Sequence, residues 1–209
     1  LELGAVAGHL TGTQLDTIPT VTIAWSDFLA AHPAAWVLSQ QTGYNRPYGS
    51  NPYVGYDDVD SDPFLFDGEV PDQLPAMARV VGLGDAGDPV AIPFDVLAAQ
   101  SVVAEQVDGR EVVVWLQPGL RSPLDTQELD EGRPVGAAAA FEPEWDGQSL
   151  TFRPDGERSF VDAETGSTWN VLGRATSGPA TGAQLEPVQH VDTFWFAWSA
   201  FRPETRLVS

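Results

Sequence analysis

Apolar positions along this chain fall into short runs with different spacings, and the spacings predict the elements. From Arg79 to Leu83 and from Pro89 to Ile92 brief apolar runs between Gly, Asp and Pro predict strands, while Phe94 to Gln100 predicts one short helix. Ser101 to Trp115 reads as a strand pair turning at Val107-Asp108-Gly109-Arg110. Ala137 to Trp145 and Ser149 to Phe152 read as a further pair, with Asp146-Gly147 as its two-residue turn. Two stretches, AWSDFLAA and FWFAWSAF, predict short helices. Proline closes each, through His32-Pro33 or Arg202-Pro203, and a short strand follows, WVLS or RLVS. In the second helix Phe194, Trp195, Ala197, Trp198 and Phe201 cover nearly the whole circumference, which predicts burial on most sides; the first is amphipathic, with Ser26 and Asp27 on its outer face. The expected class is α+β, rich in antiparallel strand with a few short helices.

Those two helices belong to a longer correspondence. At an offset of 170, Ala5–Ser39 aligns without gaps on Ala175–Ser209, with 11 identities in 35 positions. Average residue usage would give roughly two or three. The matches include Gly8/Gly178, Gly12/Gly182, Trp25/Trp195 and Pro33/Pro203. The organisation this implies is a duplicated unit with an approximate two-fold axis: residues 1–39 as the C-terminal part of a first repeat unit, 40–78 as a connecting loop rich in Tyr, Gly and Pro, and 79–209 as a complete second unit. The second copy follows a long β-rich region that the first lacks, so a missing N-terminal half or a separate protein chain is expected to complete the first.

Charge narrows the partners. Ten basic residues face thirty acidic ones for a net charge of −20, which repels nucleic acid and anionic membrane surfaces; all ten are arginine, which fits a high-GC genome or a salt-adapted organism. Without cysteine there is no disulfide framework and no thiolate metal site in the chain. Its longest apolar stretches are too short to span a bilayer.

Each candidate motif also has a plain structural explanation. Gly82–Gly87 (GLGDAG) has the glycine spacing of a dinucleotide turn, but Asp88-Pro89 follows where a phosphate-binding helix would have to start, so it reads as strand, turn, strand and no cofactor is expected. Asp57, Asp58, Asp60 and Asp62 offer a weak calcium candidate without the glycine and terminal glutamate of an EF-hand, against a solvated acidic loop. His9, His32 and His190 are too scattered for a zinc motif. Ser122 in PGLRS does not sit in a nucleophile elbow. The carboxylate pairs Glu142/Glu144 and Asp162/Glu164, with seven tryptophans, raise carbohydrate chemistry without specifying it. All four tyrosines lie between Thr42 and Tyr56, in TGYNRPYGSNPYVGY, spaced as no single helix or strand face would display them. That loop either cements the two units or, with Tyr44, Arg46, Tyr48, Asn51, Tyr53, Tyr56, Arg121 and His190, lines a ligand or partner site.

TGYNRPYGSNPYVGY, WSDFLAAHPAAWVLS, DAETGSTWNVLGRATSGPATGAQLE and FWFAWSAFRPETRLV occur in order, and together resemble the bacterial and archaeal family known as domain of unknown function 3179. The resemblance brings no activity or catalytic residue. It implies an extracytoplasmic or secreted protein and a longer N-terminal half with a CPLCG-like segment, where this chain's corresponding second-copy segment reads WLQPGLRS. The expectation is a binding or assembly module of an exported protein. The alternative is an enzyme with an active site between the repeats, completed by the absent half; a weaker alternative is carbohydrate binding.

Overall fold

A computed structural model describes residues 7–13, 15, 17–84 and 87–209. After helix α1 (Trp25–Ala31) comes a long irregular segment, then a hairpin of β1 (Arg79–Leu83) and β2 (Val90–Pro93), helix α2 (Phe94–Gln100), and strands β3 (Val102–Val107), β4 (Arg110–Gln117) and β5 (Ala137–Phe141). Short strands follow: β6 (Glu144–Trp145), β7 (Gln148–Ser149), β8 (Phe152–Pro154), β9 (Phe160–Asp162), β10 (Thr168–Trp169) and β11 (Ala175–Ser177). The chain closes with β12 (His190–Phe194), helix α3 (Trp195–Phe201) and β13 (Arg206–Leu207).

Three sheets build the body, in the strand orders β12-β1-β2-β13, β3-β4-β5 and β11-β10-β9-β8. All pairings within them are antiparallel except that of β13 with β2. The middle sheet carries the architecture because β4 is apolar on both faces. Val112, Val114 and Leu116 meet Val81, Ile92 and Leu97 in one core, while Val113 and Trp115 turn the other way onto Phe141, Phe160 and Trp169. An uninterrupted run such as VVVWL, rather than strict alternation, is what a strand covered on both sides needs. Small residues on β5, Ala137–Ala140, let it lie beside β4 with Trp115 packed against Phe141 at 4.8 Å and Phe160 at 4.4 Å between ring centres.

Most predicted elements are present, and the differences have physical causes. Asp108-Gly109 and Asp146-Gly147 are the hairpin turns, all four residues with positive φ, as a two-residue turn requires. Ala137–Phe141 does not pair with the strand after Asp146-Gly147; it pairs with β4, and Pro143 separates it from the small β6–β7 hairpin. WVLS after α1 forms no strand, whereas Arg206–Leu207 does, because Arg206 N–H and Val208 N–H donate to Pro89 O and Ala91 O at the edge of β2. Helix α3 buries one side, through Trp195, Trp198 and Ser199, and leaves Phe201 exposed. Asp27 of α1 does not face outward either: it accepts from Gln117 Nε2 at 2.7 Å and pairs with Arg158.

Candidate functional site

The two segments that match in sequence share local backbone features at the glycine turn and the helix, though not in their strands. Gly8 and Gly178 have φ of +82° and +88°, and Gly12 and Gly182 of +84° and +89°, conformations that suit glycine. Thr11 and Thr181 both donate N–H and Oγ1–H to the carbonyl three residues earlier. Helices α1 and α3 occupy equivalent positions, and their caps, His32 and Arg202, donate N–H to Phe28 O and Trp198 O at 2.8 and 2.9 Å. The same sequence signals, a glycine-punctuated turn and a proline one residue past the cap, produce the same local structure twice.

What surrounds the two helices differs. Helix α3 lies across the β1–β2 hairpin, with Trp195 and Trp198 buried on Val80 and Ala91. Its docking depends on Gly82 of β1, where any Cβ would fall inside the Trp198 ring. The indole N–H groups are satisfied, Trp195 by Pro71 O and Trp198 by Thr205 Oγ1, both at 2.9 Å. At the equivalent positions α1 has no buried residue. Trp25 is 52% exposed against 1% for Trp195, and beyond the helix Trp36 and Leu38 are 99% and 96% exposed. Val21 and Ile23, just before α1, rest on the second core, and Asp27 holds the helix to Gln117 and Arg158, so the helix is seated on one side and open on the other.

Among the described residues, the large exposed hydrophobic side chains fall mainly between Leu10 and Leu65, with only Leu129, Val191 and Phe201 outside that span.

The tyrosine loop follows Trp36–Leu38 in the chain. Its second half is stitched to the segment 122–128: Asn51 N–H donates to Gln127 O, Gly55 N–H to Asp125 O, Tyr56 N–H to Leu124 O, and the buried Asn51 side chain to Thr126 O. Tyr56 packs edge-on against Phe194, while Tyr44, Tyr48 and Tyr53 are exposed, with the Tyr48 hydroxyl 2.6 Å from Thr42 Oγ1. Arg46 is exposed. His190 is buried on β12 and donates Nδ1–H to Val188 O at 2.9 Å, and Arg121 donates to Gly132 O at 2.7 Å. Asn51 and Tyr56 therefore share one loop-to-loop seam, and His190 belongs to the strand layer.

The acidic run has one member with a distinct role. Asp57 is buried, not solvated: its carboxylate accepts from Ser122 Oγ at 2.5 Å and from Arg133 Nη1 at 3.0 Å, and ion-pairs with Arg133 Nη2, which donates to the Asp57 carbonyl at 2.6 Å. Asp58 instead closes a turn by accepting from Asp60 N–H, and among the described residues no group of three or more acidic or histidine side chains is arranged to hold a metal ion. A cleft of about 650 Å³ opens beside Asp57, over Leu74, Met77 and Phe94.

Asp162 was a candidate half of a carboxylate pair. It is buried and accepts from Thr165 N–H and Oγ1–H, Ser167 N–H and Trp169 Nε1–H. Burial pushes this carboxyl up, but the four donors together outweigh it and hold it below the usual aspartate range. Glu164 is held low chiefly by Thr151 N–H at 2.7 Å, and Glu142 pairs with Arg110 at 2.6 Å. The DAETGSTW stretch is thus a folding device, a carboxylate closing a turn beneath a buried tryptophan.

A family model described as protein of unknown function (DUF3179) matches residues 1–205, nearly the whole chain and every described element except β13. The chain belongs to the DUF3179 family. No curated protein and no solved structure matches it. Membership in DUF3179 ties the exposed helix, the tyrosine loop and the buried helix to one family unit and assigns chemistry to none of them. Sequence reasoning missed Asp57, Ser122 and Arg133 as a cluster because its members come from two loops far apart in the chain; Asp57 was read within the acidic run, Ser122 within PGLRS, and Arg133 within neither. Among the described residues no helix is long and apolar enough to cross a membrane.

Proposed function

We propose that this DUF3179 chain is a binding and assembly module of an extracytoplasmic protein, and that its docking surface is the open side of α1 with the following Trp36–Leu38 stretch. The observation that carries this reading is the contrast between equivalent positions: Trp195 is 1% exposed on the β1–β2 hairpin, and Trp25, on a helix of the same length, is 52% exposed.

On this reading the two segments descend from one unit by duplication and use equivalent faces in equivalent ways. The occupant is therefore a β-hairpin with the chemistry of β1–β2: short, apolar, and with a glycine where the ring of Phe28 has to settle. Val37 and Leu38 then add a short strand to its edge, as Leu207 does beside Ala91 in the C-terminal segment. Covering each large apolar side chain contributes about 1.5–3 kcal/mol, so Trp25, Leu29, Val37 and Leu38 together support a stable association. The hairpin comes from an N-terminal half of the same protein or from a separate chain.

A fluorescent peptide of residues 79–93 serves as a surrogate hairpin, titrated into the chain and followed by anisotropy. Saturable binding that weakens at least tenfold on Trp25→Ala or Leu38→Asp, in variants that keep the wild-type melting temperature, is the expected result. Binding unaffected by both substitutions, or no binding at concentrations up to the solubility of the peptide, contradicts it.

A further inference from the structure

A second concave surface lies on the other side of α1, between that helix and the turn Asn170–Arg174, with a volume of about 560 Å³. We propose that this cleft binds a small hydroxylated anion, through a carboxylate or phosphate group. It is within the size range of small-molecule sites.

The charge balance is the first argument. Arg158 and Arg174 line the cleft with His32, and Asp27 is the one acidic side chain there, so two guanidinium groups against one carboxylate leave it positive within a chain of net charge −20. Asp27 is matched by Arg158. Arg174 has no ion pair among the described residues, as is also true of Arg46, Arg121, Arg153 and Arg202, but of these five it alone lines this cleft. A guanidinium left free in so acidic a protein, at the lip of a cleft, is matched in shape and charge to an oxyanion.

Hydrogen-bonding geometry supplies the second. Asn170 Oδ1 accepts the N–H groups of Leu172 and Arg174, each at 3.1 Å, which fixes its orientation and leaves the amide NH2 group to a ligand. Gln117 is 97% buried at the end of the apolar strand β4; its Nε2 donates to Asp27 at 2.7 Å, so its Oε1 remains as an acceptor for a hydroxyl. A polar side chain held at that depth beside a cleft, with one acceptor unspent, selects a ligand that also donates. An oxyanion held by Arg174 and Asn170, with a hydroxyl on Gln117, describes a sugar acid or a sugar phosphate.

Isothermal titration calorimetry on the whole chain tests this with four probes: glucuronate, glucose 1-phosphate, inorganic phosphate and glucose. Glucuronate or glucose 1-phosphate is expected to bind at least tenfold more tightly than glucose and than phosphate, and the tighter of the two identifies the anionic group. Arg174→Ala is expected to weaken that binding at least tenfold and Arg174→Lys less, while Arg153→Ala, which removes an exposed arginine outside the cleft, leaves it unchanged. All three variants replace exposed side chains and are checked for unchanged circular dichroism. Absence of heat with both sugar anions, equal affinity for glucose, or equal losses in Arg153→Ala and Arg174→Ala would overturn the proposal.

Discussion

Gly82 sets how α3 sits, and its importance comes from what it omits. A methyl group there would occupy the Trp198 ring, so Gly82→Ala must tilt the helix or distort β1, at a cost of about 1–3 kcal/mol. Thermal melts are expected to show a clear loss for Gly82→Ala and little for Gly87→Ala, where a Cβ meets nothing within 4 Å. In sequence this glycine stood out only as part of a dinucleotide-like pattern, because the ring it accommodates lies far along the chain. Asp162 makes the second residue-scale case. Its folded carboxyl is held below the unfolded value, so its contribution to stability is complete above about pH 4 and fades as pH falls through the lower folded value. Asp162→Asn replaces an acceptor of four hydrogen bonds with an amide that can accept at one atom, and is expected to cost about 2–4 kcal/mol at neutral pH. Urea unfolding measured at successive pH values checks both parts: the difference between wild type and variant should be constant above pH 4 and shrink below it.

At the level of elements, α1 and α3 form an internal control. Trp195→Ala opens a cavity in a packed layer and is expected to cost about 3–5 kcal/mol, whereas Trp25→Ala, on a half-exposed ring, is expected to cost less than about 1 kcal/mol in the isolated chain. Chemical denaturation of the two variants side by side measures the contrast. Equal losses would mean that Trp25 is packed as Trp195 is. Helix positions were legible because capping and proline signals are local: α2 and the ends of α1 and α3 follow from Phe94–Gln100, His32-Pro33 and Arg202-Pro203. Strand partners were less legible. Ala137–Phe141 carries no turn linking it to β4, and the tertiary fit of small alanines beside Trp115 decides that pairing. WVLS and RLVS have similar strand propensity; the edge of β2 makes one of them a strand.

For the whole molecule, an excess of twenty negative charges sets the response to salt. Exposed carboxylates repel one another over a distance that shrinks from about 30 Å at 0.01 M salt to about 3 Å at 1 M. The melting temperature is therefore expected to rise as sodium chloride is raised across that range; a flat or falling curve would show that self-repulsion contributes little. The three-sheet body was legible as a β-rich α+β fold, since apolar runs and Asp-Gly turns are written locally. The cleft beside Arg174 and the Asp57–Ser122–Arg133 cluster were not, because each gathers side chains from distant segments whose proximity exists only after folding. The proposed docking face is the open side of α1 at Trp25, the counterpart of the side of α3 that β1–β2 covers. Hydrogen–deuterium exchange across residues 36–38 tests that assignment most directly, comparing the isolated chain with the protein as purified from its natural source together with everything that accompanies it. Fast exchange in the isolated chain and strong protection in the natural assembly are predicted; equally fast exchange in both would contradict the account.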